Sequence, residues 1–237
     1  ISKVWLGNIN NKLLKYYFMK TAIIFGSSGL IGNELFKTIL LNNSYDKIKV
    51  FVRSIPLINN PKVEIIKTDF TNLEKYKDKI IGDDCYFCIG TTKKDTPNKD
   101  EYRRVEYDIP IEVAKITKAN SVNSFFYVSS IGANPNASSN YLKSKGQVEE
   151  ELKTFNFSKL AIIRPSLLVG NRKSFRLGEV IFTPIMNTLT FFAFGSLKKY
   201  KPIKIENVVK AMLYISKNDL NETVFESDEL ERIAKSN

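Results

Sequence analysis

The sequence predicts an α/β fold, a doubly wound parallel sheet in one domain with a small C-terminal lobe over the carboxyl edge of the sheet. Two observations carry this prediction. From residue 20 onward, short β-branched or aromatic runs alternate with segments of helical periodicity, as in βαβ units. A glycine-rich turn joins the first of these runs to the first helical segment. The 237 residues, 43% of them hydrophobic, are enough to bury one sizeable core.

The predicted elements follow one another along the chain. Short buried patterns predict strands at 21–25, 48–53, 63–67, 84–89, 124–129 and 161–164. Apolar residues three and four apart predict helices at 30–41, 72–80, 101–120, 139–155 and 205–216. In the third helix the buried stripe consists of Tyr102, Val105, Ile109, Val113 and Ile116, and Pro110 predicts a kink or a restart.

Residues 1–18 do not fit this alternation. They contain three lysines, no acidic residue and Trp5, and they precede Met19, which reads as a natural start before a strand. We expect this segment to be an upstream extension or a piece added for expression, and residues 19–237 to form a single domain. After Arg164 the alternation loosens, which predicts the lobe at the edge where open parallel sheets bind ligands.

The amino-acid composition argues against two classes of binding partner, nucleic acids and membranes. The net charge of +11 comes from 36 scattered basic residues against 25 acidic ones, without the basic and aromatic constellation of a nucleic-acid site, so nucleic-acid binding is not expected. The most apolar stretch, residues 180–194, is interrupted by polar residues and proline, so no membrane span is expected. These features lead us to expect a cytoplasmic protein.

The two cysteines, Cys85 and Cys88, have the spacing of a redox dithiol or half a zinc site. We interpret them as residues of a buried strand, where positions three apart face opposite ways. The chain has no histidine, which removes the usual partner of a zinc site and excludes Ser-His-Asp or Cys-His catalysis. No metal is expected, and any catalytic centre must use Tyr, Lys, Ser, Asp or Glu.

The glycine-rich turn predicts a dinucleotide site. Gly26 permits a tight turn, Gly29 lets the backbone approach a pyrophosphate, and Gly32 lets the helix pack on the strand. The anion then lies at the helix N-terminus, where free N–H groups and the helix dipole favour negative charge. The predicted contacts are Gly26, Ser27, Ser28, Gly29, Leu30, Ile31 and Gly32.

The ends of the next strands refine this site. An NAD-specific site usually has a carboxylate after the second strand, whereas Arg53 and Ser54 offer a cation and a hydroxyl, so NADP(H) is favoured and NAD(H) stays possible. The alternative is that Arg53 is a solvated residue at a strand end. We expect further contacts from Asp69 and Phe70, which could hold the adenine, and from Ile89, Gly90 and Thr91, which would pass close to the dinucleotide.

A catalytic group is predicted from Tyr141 and Lys145, which stand four apart on one helical face. Tyrosine exchanges a proton efficiently only if its phenol, ordinarily of pKa about 10, is drawn toward neutrality, and a nearby ammonium does this. Ser129 and Ser130 end the preceding strand, and a serine hydroxyl there would hold the substrate oxygen. The twelve-residue spacing to Tyr141 favours Ser129, although either serine could face the substrate.

These motifs together resemble the short-chain dehydrogenase/reductases, and within them the atypical branch of Tat-interactive-protein-like oxidoreductases. The resemblance rests on residues 26–32, 88–92, 128–130, 141–149 and 164–168. It implies a Rossmann fold, with Tyr141 as proton donor or acceptor and Lys145 as its partner. It also implies that the dinucleotide is lined by Ser27, Ser28, Gly29, Leu30, Arg53, Ser54, Ile89 and Gly90, with Leu168 and Arg176 closing over it.

We therefore expect an NADP(H)-dependent oxidoreductase acting on a small carbonyl or alcohol. The alternative is a non-catalytic NADP(H)-binding sensor or scaffold, since some members of this branch act as binding or regulatory proteins. The apolar residues between Ile181 and Phe194 would then be a partner surface, although they more commonly roof a substrate pocket or pack a homodimer. A nucleotide-sugar epimerase is disfavoured, because the segment after Arg164 is short for a site that must hold both sugar and nucleotide.

Overall fold

The computed structural model describes residues 20–170 and 195–236. Within them, parallel strands form a sheet of seven and a separate pair. In chain order the strands are β1 (Thr21–Phe25), β2 (Lys47–Val52), β3 (Val63–Lys67), β4 (Asp84–Phe87), β5 (Ser124–Val128), β6 (Lys159–Arg164), β7 (Leu168–Val169), β8 (Ile203–Lys204) and β9 (Val224–Glu226). The large sheet has the order β3-β2-β1-β4-β5-β6-β9, and β7 pairs with β8. The chain reverses direction across the sheet between β3 and β4, beside β1, which confirms the doubly wound class.

Helices cover both faces of this sheet. They are α1 (Leu30–Leu41), a 3₁₀ helix (Leu73–Lys79), α2 (Lys99–Arg103), a π-helical turn (Arg104–Asp108), α3 (Ile109–Ala119), α4 (Asn140–Thr154), a second 3₁₀ helix (Gly195–Tyr200), α5 (Ile205–Lys217) and α6 (Ser227–Lys235). The helix boundaries predicted for α1 agree with the structure, those for α4 differ by one residue at each end, and that for α5 differs by one residue at its C-terminal end. The segment predicted as a helix at 72–80 is a 3₁₀ helix.

Alternation along the strands divides the core into two layers. Ala22 and Ile24 pack on one face with residues of α1, α5 and α6, whereas Ile23 and Phe25 pack on the other with residues of α3 and α4. Both sides of each central strand are therefore buried, as in a parallel sheet covered by helices. Cys85 and Cys88 also lie on opposite sides of the sheet, as predicted, and both are free thiols.

The long helical segment between β4 and β5 changes its winding ahead of Pro110. Proline lacks an N–H, and in an α-helix its ring would meet the carbonyl of the residue four positions earlier, Glu106. The structure accommodates this with the π-helical turn Arg104–Asp108, after which α3 resumes with Pro110 in its first turn. The predicted disruption at Pro110 thus lies just before the proline, and it turns Glu106 into the interior.

The C-terminal residues contribute more to the main sheet than the sequence pattern predicted. Strand β9 pairs with β6, and α5 packs in the core layer of α1. After β6 the chain also forms the short parallel β7-β8 pair, which is separate from the main sheet. Residues 1–18, Arg176 and the apolar stretch 180–194 lie outside the described ranges. No helix in those ranges is long and apolar enough to cross a membrane.

Candidate functional site

The turn after β1 has the geometry that its glycines predicted. Gly26 has φ of +87°, and a Cβ atom there would lie 2.7 Å from the carbonyl carbon of Cys88. A Cβ atom on Gly32 would lie 2.2 Å from the Gly26 carbonyl oxygen. Any larger residue at either position therefore forces the helix away from the strand. The two glycines hold the N-terminus of α1 tightly against the carboxyl edge of β1 and β4.

The N-terminus of α1 is open to an anion. Gly29 is its N-cap, no side chain in the described ranges caps the first turn, and that turn contains no acidic residue. The Gly29 N–H is used internally, since it donates to the Gly26 carbonyl at 3.0 Å. The next backbone N–H groups carry the positive end of the helix dipole. This arrangement is suited to binding a pyrophosphate.

The other residues of this turn differ in exposure. Ser28 is exposed, Ser27 and Leu30 are half-buried, and the Ile31 side chain packs in the core. Ile31 can therefore contact a dinucleotide only through its backbone, and the two serines provide hydroxyls at the edge.

The residues after β2 and β3 do not all present their side chains to this crevice. Arg53 and Ser54 are exposed, and among the described residues no carboxylate pairs with Arg53. The Asp69 carboxylate is exposed and accepts hydrogen bonds from the Thr71 N–H and hydroxyl at 3.0 and 2.8 Å, which lower its pKa. Phe70 has φ of +63°, and its ring is buried 6.3 Å from the Phe25 ring. That ring is packed in the core, so a contact to adenine would come from the backbone of Phe70.

Lys145 is a buried cation at the base of the crevice. It is 3% exposed, and its Nζ donates to the Val128 carbonyl at 3.2 Å. The same atom lies 4.9 Å from the Tyr127 ring centre and 5.9 Å from the Tyr141 ring centre. The structure thus brings Tyr141 and Lys145 together, with the Tyr141 side chain 36% exposed toward solvent.

Glu106 is the carboxylate partner of this lysine. It is 1% exposed, and its Oε2 lies 3.2 Å from Lys145 Nζ. Burial alone would lower the pKa of Lys145, but the Glu106 carboxylate and the neighbouring phenols outweigh it and raise that pKa well above its ordinary value. Lys145 therefore stays an ammonium across the physiological pH range.

Three tyrosines surround this ion pair. Burial, followed by the charge of Glu106, raises the pKa of Tyr102 to about 12. Burial likewise raises the pKa of Tyr127, and the nearby Lys145 ammonium offsets that rise only in part. Tyr141 is the exposed member of the three, so it is the phenol that a small molecule in the crevice can reach.

The assignment of Ser129 to the substrate is not supported by the structure. Ser129 is 3% exposed, and its hydroxyl donates to the buried carboxylate of Glu149. Arg164 fixes that carboxylate from the other side, with its Nε 2.9 Å from Glu149 Oε1. Since the Ser129 hydroxyl is committed to this network, it is unavailable to a substrate. Ser130 is half-buried, and its hydroxyl makes only a 3.3 Å contact with the Ile131 carbonyl.

The segment after β4 forms the wall between Lys145 and the crevice. Gly90 is exposed, and a Cβ atom there would lie 3.4 Å from Glu106 Oε1 and 3.8 Å from Lys145 Nζ. The Thr91 N–H donates to Glu106 Oε1 at 2.5 Å, and Ile89 is half-buried. Leu168, in β7, is half-buried, and Arg176 lies outside the described ranges.

Sequence reasoning missed Glu106 and Glu149 because a charged side chain was not expected among buried residues. A usable signal exists for Glu106, which stands four residues after Tyr102 and three before Ile109, on the apolar stripe itself. In the described ranges no group of three or more His, Cys, Asp or Glu side chains could hold a metal ion.

Comparison with known proteins gives a family match over much of the chain. A family model described as NAD(P)H-binding matches residues 26–179. The mitochondrial protein FMP52 of Debaryomyces hansenii is 31% identical over 208 residues, covering 85% of this chain and 90% of its own. Protein HTATIP2 of Rattus norvegicus is 31% identical over 200 residues, covering 82% of this chain and 80% of its own.

Solved structures share the fold. A short chain dehydrogenase from Burkholderia cenocepacia, in complex with NADP, has a TM-score of 0.62 and 16% identity, covering 92% of each chain. The enzyme WbmH of Bordetella bronchiseptica, in complex with NAD⁺, has a TM-score of 0.64 and 16% identity, covering 87% of this chain and 74% of its own. At this identity the likeness establishes the architecture alone.

The comparisons correct one expectation. The sequence led us to expect a cytoplasmic protein, but relatives named FMP52 from several yeasts are designated mitochondrial. The expectation of a cytoplasmic location is therefore wrong. Charge and hydropathy did not predict the location, because they indicate whether a fold is surrounded by water and do not distinguish one aqueous compartment from another.

Proposed function

The chain belongs to the NAD(P)H-binding family, in the atypical branch of the short-chain dehydrogenase/reductases, and we propose that it is an NADP(H)-dependent oxidoreductase acting on a small carbonyl or alcohol. The observation that carries the proposal is the pairing of an exposed phenol, Tyr141, with a buried ammonium, Lys145, beside an uncapped helix N-terminus. A fold alone would not require these three features to share one crevice.

The residues have distinct tasks in this proposal. The backbone N–H groups at the start of α1 bind the pyrophosphate, and Gly90 lets the chain pass close to the dinucleotide. Tyr141 moves a proton to or from the substrate oxygen, and the Lys145 ammonium stabilises the phenolate form during that transfer. Ser130 donates a hydrogen bond to the same oxygen. A bound nicotinamide supplies the redox chemistry of the reaction.

The preference for NADP(H) is the finer part of the proposal. It is supported by Arg53, an exposed guanidinium that no carboxylate engages in the described part of the chain. A 2′-phosphate at the end of β2 would find a cation there, whereas NAD specificity usually relies on a carboxylate. Structural neighbours contain NAD⁺ in one case and NADP in another, so the neighbours do not select between the two.

The first experiment measures dinucleotide binding by fluorescence or calorimetric titration with NADPH and NADH. We expect tighter binding of NADPH, and we expect Arg53→Ala to weaken NADPH binding by about tenfold, near the value of one charge-assisted contact, with little change for NADH. Equal affinity of the wild-type chain for both dinucleotides would defeat the preference. Absence of binding to either would defeat the proposed function.

The second part measures turnover on a panel of aldehydes, ketones and alcohols. Tyr141→Phe should retain dinucleotide affinity and lose roughly 10²- to 10⁴-fold in kcat, the usual contribution of general acid/base catalysis. Tyr76→Phe, on the first 3₁₀ helix, is a matched control that should leave kcat unchanged. Unchanged turnover in Tyr141→Phe would remove this residue from the mechanism, and binding without turnover of any panel compound would favour a sensor.

A further inference from the structure

Glu106 makes two different contacts with its two carboxylate oxygens, and both lead to the crevice. Oε1 accepts the Thr91 N–H at 2.5 Å, in the segment after β4. Oε2 lies 3.2 Å from the Nζ atom of Lys145, on α4. One buried side chain therefore links the wall of the dinucleotide crevice to the ammonium beneath Tyr141.

From this geometry we propose that Glu106 is a positioning residue, whose carboxylate holds the Lys145 ammonium and the Thr91 backbone in a single arrangement that directs the lysine charge at Tyr141. The inference deepens the proposed function and rests on it for its catalytic meaning. The arrangement itself is a property of the chain and can be tested without turnover.

Among the groups around the Lys145 ammonium, the Glu106 carboxylate does most to stabilise its charge. The groups that face its ammonium are Tyr102 from α2, Glu106 from the π-helical turn, Tyr127 from β5, Tyr141 from α4 and Cys88 after β4. Burial raises the pKa of the Cys88 thiol to about 12 and also raises those of Tyr102 and Tyr127, so these three groups are neutral at physiological pH. Among the described residues, Glu106 is the one carboxylate within ion-pair distance of Lys145.

Stability alone is a poor explanation for this pair. Replacing a buried ion pair by apolar residues of similar volume is often neutral or stabilising, because both charges lose their hydration on burial. Here the exposed Gly90 also lies over the pair, since a Cβ atom there would be in ordinary van der Waals contact with Glu106 Oε1 at 3.4 Å and with Lys145 Nζ at 3.8 Å. The chain thus keeps an ion pair whose burial costs hydration energy directly beside the crevice. This is expected if the Lys145 charge acts electrostatically on a bound molecule.

The π-helical turn accounts for the placement. In a continuous α-helix the residues before Pro110 would be wound more tightly, and the Glu106 carbonyl would meet the proline ring. The wider turn at Arg104–Asp108 relieves that contact. Its salt bridge between Arg104 and Glu112, at 2.6 Å, fixes the turn on its outer side.

The test follows the titration of Lys145 in the full chain by NMR of ¹³Cε-labelled lysine, with the signal assigned by its loss in Lys145→Met. In Glu106→Gln the burial of the ammonium persists without its carboxylate, so we expect the titration midpoint to fall by about one pH unit or more. Glu106→Asp, which keeps the charge at a shorter reach, should give an intermediate midpoint. Glu150→Gln, which removes an exposed carboxylate from the same helix as Lys145, should leave it unchanged.

The activity readout is the pH profile of kcat/KM. Glu106→Gln should displace this profile and lower kcat/KM at pH 7 by roughly tenfold or more, the scale on which loss of an outer-shell partner is felt. Glu106→Asp should partly restore both. A merely structural role would lower the thermal midpoint without moving the profile of the folded enzyme.

The outcomes separate the two proposals. A wild-type titration of Lys145 in Glu106→Gln overturns the positioning role, whatever the enzyme turns over. If the wild-type chain binds no dinucleotide, the proposed function fails, while the lysine titration still decides what Glu106 does to Lys145. Should Glu106→Gln not fold, the same measurement on Glu106→Asp decides: a lowered midpoint supports the role, and an unchanged one overturns it.

Discussion

Two buried polar clusters lie at opposite edges of the central strands and contain the same kinds of side chain. The amino-edge cluster consists of Lys20, Tyr45, Asp84 and Tyr86. The carboxyl-edge cluster consists of Glu106, Tyr127, Tyr141 and Lys145. Each has a buried carboxylate, a lysine and a pair of tyrosines, so residue type alone does not distinguish them.

Hydrogen bonding distinguishes them. In the amino-edge cluster the Tyr45 hydroxyl lies 2.5 Å from Asp84 and 2.6 Å from the Tyr86 hydroxyl, and Lys20 Nζ lies 2.7 Å from Asp84. In the carboxyl-edge cluster one ammonium, that of Lys145, serves both the Glu106 carboxylate, 3.2 Å from Oε2, and the buried Tyr127 hydroxyl. A network of short, well-directed hydrogen bonds stabilises a fold, whereas polar groups that share one donor beside a crevice keep bonding capacity for a ligand.

The largest stability effect is expected from Asp84→Asn at the amino edge. The substitution leaves Lys20 without its carboxylate and disturbs the two tyrosine hydroxyls, so the free energy of unfolding should fall by about 3 kcal/mol. Urea denaturation measures this. Dinucleotide affinity of the folded variant should stay at the wild-type value, because the cluster lies at the edge away from the crevice.

Asp78→Asn, an exposed carboxylate on the first 3₁₀ helix, is the matched control and should change stability by less than about 0.5 kcal/mol. Loss of dinucleotide binding in Asp84→Asn, with an unfolding curve that matches the wild type, would contradict a purely stabilising role of the amino-edge cluster.

A smaller and sharper contrast comes from removing one hydroxyl at each edge. Tyr45 and Tyr127 are both buried, at 1% and 0% exposure. Tyr45→Phe loses two short hydrogen bonds and should destabilise the chain by about 1 to 2 kcal/mol. Tyr127→Phe loses a hydroxyl whose neighbour, the Lys145 ammonium, keeps the Val128 carbonyl and the Glu106 carboxylate, so it should cost less than about 1 kcal/mol. Equal losses of stability in the two variants, measured by urea denaturation at pH 7, would refute the distinction.

The smallest effect concerns alkaline pH, where the two tyrosines should behave alike. Burial is the first cause that raises the pKa of both Tyr45 and Tyr127 above the ordinary phenol value. The unfolded chain therefore releases these protons at a pH where the folded chain still binds them, and stability falls as pH rises through about 10. Each tyrosine should remove about 1.4 kcal/mol by pH 11.

Each phenylalanine variant lacks this penalty, so its stability relative to the wild type should improve by about 1.4 kcal/mol between pH 8 and pH 11. Denaturation curves at several pH values test this. Parallel stability curves for wild type and variants would show that the phenols titrate alike in the folded and unfolded chain.

Much of the fold follows from periodicity in the sequence. Strand β1 and helix α1 were predicted with their observed boundaries, because Gly26 and Gly29 mark the end of the strand and the start of the helix. The predicted boundaries of strand β3 also agree with the structure. The strand predicted to reach Ile89 ends at Phe87, where the backbone begins to pass over Gly26. Strand β9 was missed because three residues are too short to show a period, and only pairing with β6 defines them.

The proximity of Tyr141 and Lys145 was predictable, because a motif fixes both residue type and position. Tyr141 and Lys145 lie together because four residues make one helical turn. The assignment of Ser129 failed because a spacing along the chain does not reveal which of two adjacent strand-end side chains faces inward. That choice depends on Glu149, which captures the Ser129 hydroxyl and comes from a different element.

The pairing of β9 with β6 has a consequence for how the chain matures. The ribosome synthesises the polypeptide from its N-terminus, so residues 20–164 emerge before β9, the strand that completes the sheet. Until Glu226 arrives, Arg164 lacks its 3.7 Å ion pair with that residue, and the flank of β6 exposes unpaired amide and carbonyl groups. The flank of β6 thus stays unpaired while residues 165–223 are synthesised, and pairing with β9 then closes it.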